Sequence, residues 1–352
     1  MSRLAARLCL PALLALAGCA ALPWPGATLP SSLGRRTLEG HLDLRGVTHV
    51  HTQASFDSRG TIAEVVAAAR ASRIDWVAFT EHRRSASVPA TGLPSHVSGV
   101  TLIPGWEVSA AGGSILVIGA AECPPRPATA REVIAWAHAR EAVAFASHIE
   151  RSRLLADAAA FAELDGVELV NLHAQLLARP LSFSLATLVL PRPSALRLLL
   201  HVPNSNLEKW EGTRAVPGVV GGVDAHAKIR ILGRTGTLDR YQDLFRVLTT
   251  HVHSVDREAD SIVRALADGR SYIAFEGLAP VEWFQFTPES GGVRTGGARV
   301  ADYTLICDGS IAATASGSEV VLPAPEGARR CRVEARLGGR LWIATAYRTL
   351  PR

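Results

Sequence analysis

Short apolar runs alternate with helical patterns along most of the chain, and the runs end on one kind of residue. Val47-Thr48-His49-Val50-His51-Thr52 closes on His-x-His, with Asp57 just beyond. Residues 76–80 run into Glu81-His82, residues 101–106 into Glu107, and residues 142–147 into His148. Residues 166–171 lead to His173, and residues 219–223 lead into Asp224-Ala225-His226. Between these runs the period becomes helical. Thr61 and Glu64 form a capping box, and Ile62, Val65, Val66 and Ala69 follow as an apolar stripe. Residues 128–141, 241–248 and 256–267 read as further helices, and residues 271–275 as one more strand. Residues 174–210 are helix-rich, broken by prolines, and placed between His173 and Asp224 to roof the strand ends. From about residue 279 the period is 2, as in residues 332–337, the turn Gly338-Gly339 and residues 340–344. The pattern predicts an α/β fold: a barrel of parallel strands over residues 41–278 and a small β-sandwich-like module over 279–352.

In such barrels the chemistry gathers at the carboxyl ends of the strands. Six strand ends therefore direct imidazoles and carboxylates to one mouth. That is the ligand set of Zn²⁺, Mn²⁺ or Fe²⁺, and it is too large for one ion. By alternation His49 and His51 share a strand face, as do Asp224 and His226. Glu107 follows an apolar run, where an unpaired carboxylate is costly, and suits a bridge between two cations. Asp57 fits either a ligand or the cap of the turn Ser58-Arg59-Gly60. The slot after residues 166–170 is open to His173, Asn171 or a water. His41, His96, His138, His201, His251 and His253 stand apart from the pattern. The sequence has neither a G-x-S-x-G elbow nor a Gly-rich phosphate loop.

His49-Val50-His51, Asp57-Ser58-Arg59-Gly60, Thr80-Glu81-His82, Gly105-Trp106-Glu107, Ser147-His148 and Gly222-Val223-Asp224-Ala225-His226, in that order, resemble the PHP superfamily. These are the polymerase and histidinol phosphatase metal-dependent phosphoesterases. The resemblance implies a distorted (βα)7 barrel with two or three divalent ions, Zn, Mn or Fe. The ions would be held by His49, His51, Asp57, His82, Glu107, His148, His173, Asp224 and His226. Glu81 stands where the family often has Asp and is expected behind the ligands. The implied reaction is hydrolysis of a small-molecule phosphomonoester or phosphodiester by a hydroxide formed from metal-bound water. Asp57 or Asp224 would relay a proton and Arg59 would help hold phosphate, with Arg83, Arg84, Arg151, Lys228 and Arg230 also near the motifs. Two positions depart from the family pattern. Phe56 precedes Asp57 where a polar residue or His is common, and Gly112-Gly113-Ser114 replaces a position where His is common. The alternatives are a metallohydrolase of the same fold acting on a non-phosphate ester or carbamate, or a non-catalytic metal-binding lipoprotein whose β module binds a partner.

Composition adds location. At 352 residues and 48% hydrophobic content, the chain supports one large α/β domain and a small one. The formal charge of +5 is carried almost wholly by scattered arginines, so a nucleic-acid partner is not argued. Residues 1–18 read as a signal peptide, with Arg3 and Arg7 before an apolar run too short to span a bilayer. Leu16-Ala17-Gly18-Cys19 resembles a bacterial lipobox. That implies a lipid on Cys19, a tether over residues 19–40, and a place in the cell envelope, at the periplasmic face or the cell surface. Cys307 and Cys331 face one small core, where a disulfide and two buried thiols fit the alternation equally; Cys123 reads as a lone thiol.

Overall fold

The computed structural model describes residues 37–82, 93–126, 129–154, 157–190, 192–200, 202, 204–213, 218–227 and 239–351. The signal peptide, Cys19, Arg83, Arg84, His201, Lys228 and Arg230 lie outside the described residues.

The first half of the chain forms β1 (Leu42–Val50), α1 (Ile62–Ala71), β2 (Trp76–Phe79), β3 (Glu81–His82), β4 (His96–Val97), β5 (Val100–Ile103), β6 (Gly105–Ala110), β7 (Gly113–Ile118), α2 (Ala130–His138), β8 (Val143–Ala146), α3 (Ala158–Ala162) and β9 (Gly166–Asn171). Then come α4 (Leu172–Ala178), α5 (Pro180–Val189), α6 (Arg192–Leu199), α7 (Asn204–Thr213), β10 (Gly218–Ala225), α8 (Tyr241–Phe245), β11 (Thr249–Ser254), α9 (Ala259–Ala267) and β12 (Ser271–Ala274). The last stretch is β13 (Phe284–Glu289), β14 (Gly292–Cys307), β15 (Ser310–Pro323), β16 (Arg330–Leu337), β17 (Arg340–Thr345) and β18 (Arg348–Thr349).

Local signals set several of these bounds. Thr61 Oγ1 accepts the Glu64 N–H at 3.2 Å while the Glu64 carboxylate accepts the Thr61 N–H at 2.7 Å, and Thr129 with Glu132 repeats the box at α2. Helix α1 buries Val65, Val66, Ala68 and Ala69. Ile62 is exposed rather than inward, because a first-turn side chain leans back past the helix start.

Strand β1 lies between β2 and β10, parallel to both. The β2–β5, β3–β6, β8–β9 and β9–β10 ladders are parallel as well. The expected all-parallel array fails at β7, which runs antiparallel to both β6 and β8. Ala111 and Gly112, the latter at φ 97°, join β6 to β7 as a hairpin where a βα unit would need a helix. Strand β11 also runs antiparallel to β1. Every residue of β2, β9 and β10 is buried, as strands covered on both faces require.

Strand β14 centres the carboxyl-terminal sheet, pairing with β13, β15 and β16, and Cys307 stands opposite Cys331 in a disulfide. Strand β12 pairs with β11 on one side and β17 on the other, and its Tyr272 and Ala274 pack into the same core as Phe284 and Trp342. At the start of β1, Asp43 accepts a hydrogen bond from the Tyr272 hydroxyl at 2.8 Å and faces His251 Nδ1 at 3.0 Å. Arg45 pairs with Glu276 at 2.7 Å. His251 is thus committed to a buried network at the end of β1 remote from His49 and His51. Among the described residues, no helix is long and apolar enough to cross a membrane.

Candidate metal centre

The strand ends do converge, but simple alternation is not the reason. Strand β1 supplies His49 and leads to His51, β3 supplies His82, and β6 supplies Glu107. His148 follows β8, Asp224 lies in β10, and His226 follows it. His49 has φ 61° and Asp224 φ 49°, and the β1–β10 register shifts between Thr48 and Val50. This irregularity turns the strand ends so that the His49 and His51 rings sit 5.0 Å apart. His148, at φ 49°, turns off β8 in the same way. Non-glycine residues in the left-handed region cost of order 1–3 kcal/mol each, and they gather where the surroundings force them.

Glu107 is the hub. Its Oε2 lies 3.1 Å from His49 Nε2 and 3.5 Å from both His51 Nε2 and His82 Nε2, and its Oε1 lies 3.5 Å from His148 Nε2. Asp224 Oδ1 lies 3.5 Å from His49 Nε2 and from His51 Nε2. Asp57 Oδ2 stands 3.0 Å from His226 Nε2 and 3.6 Å from His82 Nε2.

The proton positions follow from the outer partners. The Ser55 hydroxyl donates to Glu81 at 2.6 Å, so it accepts from His51 Nδ1 at 3.3 Å. The Asp224 carbonyl accepts from His226 Nδ1 at 3.0 Å, and Glu168 Oε1 holds His49 Nδ1 at 2.5 Å. Three rings thus place an Nδ1 proton outward and turn Nε2 to the centre. His51 Nε2 is buried beside two carboxylate oxygens at 3.5 Å and makes no hydrogen bond. A cation satisfies such an atom. Three overlapping groups (His49, His51, Glu107; His49, His148, Asp224; His51, His82, His226) keep their donor atoms within 4.8 Å of one another. Ligands at about 2.0–2.2 Å from a divalent ion stand about 3–3.4 Å apart, close to the separations found here. The residues present fit divalent metals.

Burial drives His51 down to about 3. Burial also opposes charge on His148, yet Glu107 and Glu150 carry it up to about 10. His49 stays well above its usual range against its burial, through Glu168, Asp224 and Glu107. Glu107 and Asp224 stay well below the carboxylate range despite burial, chiefly through His49. As pH falls from about 6.5 to 3, the unfolded chain protonates His51 while the folded chain refuses, so stability drops. As pH rises from about 6.5 to 10, the folded chain keeps a His148 proton that the unfolded chain has released, so stability drops again. Metal-free protein should therefore be most heat-resistant near pH 6.5. Metal should remove the alkaline loss, because ligating imidazoles are neutral. Calorimetry of chelator-treated and metal-loaded protein checks both arms; a metal-free protein whose melting point holds constant above neutrality contradicts the charged His148.

The sequence pattern passes over Glu168. This buried β9 carboxylate holds His49 Nδ1, accepts the His148 N–H at 2.7 Å, and takes an N–H from Asn171 at 3.2 Å. Gly222 makes the space: a Cβ there would fall 1.6 Å from Glu168 Oε1. The available signal is a charge inside the otherwise apolar run of residues 166–170. Glu81 occupies the supporting place expected of it, accepting from Thr52 N at 3.1 Å and Thr52 Oγ1 at 2.7 Å. His173 is not at a strand end. Asn171 ends β9 and caps α4, accepting the Ala174 N–H at 2.8 Å, so His173 falls in the first helical turn with its ring 5.2 Å from His226. Arg59 is exposed, and its backbone N–H donates to the His226 carbonyl at 3.1 Å. Arg151 lines a pocket of about 340 Å³ beside His148, with Ser109, Ser114, Ser147 and Ser152. The small residues at 113 and 114 keep it open; a Cβ at Gly113 would come 3.0 Å from Ser152 Oγ.

Residues 48–165 match the PHP domain family. The matched segment carries His49, His51, Asp57, His82, Glu107 and His148, while Glu168, Asp224 and His226 follow it. One similar solved structure is a two-domain protein from Bacteroides vulgatus described as containing a predicted PHP-like metal-dependent phosphoesterase. It has a TM-score of 0.42 and 16% identity, over 89% of this chain and 99% of that one. Another is a candidate metal-dependent phosphoesterase from Bifidobacterium adolescentis, with a TM-score of 0.32 and 17% identity over 56% of this chain and 93% of that one. No curated protein matches.

Proposed function

We propose that the protein is a metal-dependent phosphoesterase of PHP type, acting from a distorted barrel on a small phosphomonoester or phosphodiester. The observation that carries this reading is the convergence of His49, His51 and His226 Nε2 atoms, with their Nδ1 protons outward, on Glu107, Asp224 and Asp57. Bound divalent cations would supply a water acidified toward neutrality and positive charge for the phosphoryl oxygens. Glu107, with both oxygens among imidazoles, bridges the ligand groups. Ser55, Glu81 and Glu168 lock the rings. Asp57, 23% exposed at the mouth, is placed to receive a proton. Arg151 and the serines beside His148 are placed to hold oxygens that do not react.

We expect purified protein to carry more than one divalent ion per chain by elemental analysis, and to turn over a phosphoester when loaded with Zn²⁺ or Mn²⁺. Turnover of a carboxyl ester or carbamate alone would replace the substrate class. Bound metal without turnover across the whole panel would leave a metal-binding protein.

The same proposal sets the chain in the cell envelope through a lipid on Cys19. Mass spectrometry of the mature amino terminus should find lipidated Cys19; a soluble chain with an unmodified terminus overturns it.

A further inference from the structure

Several large apolar side chains lie exposed, one of them against the candidate metal centre. Phe56, 64% exposed, stacks on His82 with ring centroids 5.1 Å apart. Leu177, one turn along α4 from His173, is 51% exposed. Helix α5 then presents Leu181, Leu185 and Val189 at i, i+4 and i+8, exposed by 78%, 65% and 62%, while Ala186 packs against the core. Single exposed apolar residues are ordinary; a run of them on one helix face is a contact surface.

Charge says what covers it. Residues 169–207 contain no Asp or Glu and carry Arg179, Arg192 and Arg197. Arg340, which donates to the Leu200 carbonyl at 3.2 Å, adds a further cation beyond the end of α6. A second copy packed through the same segment would bring together two stretches that carry arginine and no acid. Anionic phosphates neutralise them. An apolar helix stripe in a stretch of sequence whose only charged residues are basic is the pattern of a helix lying in a lipid interface. The sequence independently points to a bilayer: a lipobox-like Leu16-Ala17-Gly18-Cys19 stands 18 positions before Thr37, where the described residues begin.

We propose that α5 docks on an anionic phospholipid bilayer, with Leu181, Leu185 and Val189 reaching the acyl boundary. The proposal stands whether or not the centre cleaves phosphoesters. It also stands without lipidation of Cys19, because the stripe itself makes the contact.

The test uses the full chain with Cys9, Cys19 and Cys123 replaced by Ser and the Cys307–Cys331 disulfide kept. Leu185→Cys is labelled with an environment-sensitive fluorophore, and Ile311→Cys, 73% exposed on the carboxyl-terminal sheet, gives the control site. Vesicles containing phosphatidylglycerol should raise the emission at 185 several-fold and shift it to the blue, with little change at 311. Adding Leu181→Glu should abolish the response at 185 without altering the circular dichroism. Vesicles of phosphatidylcholine alone should respond weakly. No response at 185, or equal responses at 185 and 311, overturns the proposal. So does a response at 185 that follows protein concentration without vesicles, which would identify a second copy as the occupant.

Discussion

Glu107→Gln should lower kcat on the phosphoester found by the panel by about a hundredfold or more. The substitution keeps the shape and removes the charge. Among the described residues, its carboxylate is the only group whose two oxygens together approach His49, His51, His82 and His148, all within 3.5 Å. An amide cannot bridge two cations, so metal content should fall along with rate. His51→Ala and Asp224→Ala should act in the same direction, since each removes a donor from the same set. Arg151→Ala, in the pocket wall, should instead raise KM more than it lowers kcat. Steady-state kinetics, elemental analysis and circular dichroism on the same preparations decide the matter. A folded Glu107→Gln protein with full metal and near-wild-type kcat would remove Glu107 from the bridging role.

Gly222→Ala should destabilise the fold by about 3 kcal/mol and weaken metal binding, while Gly221→Ala costs about 1 kcal/mol or less. At 222 the new methyl would meet Glu168 Oε1 at 1.6 Å and its Cδ at 2.6 Å. That carboxylate cannot retreat without releasing His49 and the His148 N–H. At 221 the methyl meets only the side chains of Leu248 and Ile273, at 3.1 and 3.2 Å, which yield by small rotations. Adding Glu168→Ala to Gly222→Ala should restore part of the stability and none of the metal affinity. Urea unfolding of the four proteins measures this; equal costs at 221 and 222 would refute the account of Glu168.

Much of the site was legible because its residues announce themselves locally. Polar side chains that close apolar runs, as at His49, His82, Glu107 and His148, point to strand ends without any knowledge of pairing. The capping box at Thr61 and Glu64 is equally local. Direction is not. Residues 115–118 are an apolar run that reads the same parallel or antiparallel, and the hairpin rests on Gly112 at φ 97°. Glu168 was hidden for a related reason: its partner His49 is 119 positions away, and nothing in residues 166–171 marks the gap left by Gly222 on the neighbouring strand. The i, i+2 argument for His49 with His51 brought the right residues together, but a register shift does the aiming, which a period-2 pattern cannot foresee.

His49, His148 and Asp224 are three of the eight non-glycine residues at positive φ among the described residues. At each, glycine would fit the backbone better and erase a donor of the candidate metal centre. Pressure for stability and pressure for activity therefore pull in opposite directions at the same three codons. In a lineage that no longer needs the metals, these positions should drift to glycine or asparagine well before the buried core changes. A histidine or aspartate held at such a backbone position marks where strain is tolerated for the sake of a side chain; glycine at all three would relieve that strain and leave the centre without those donors.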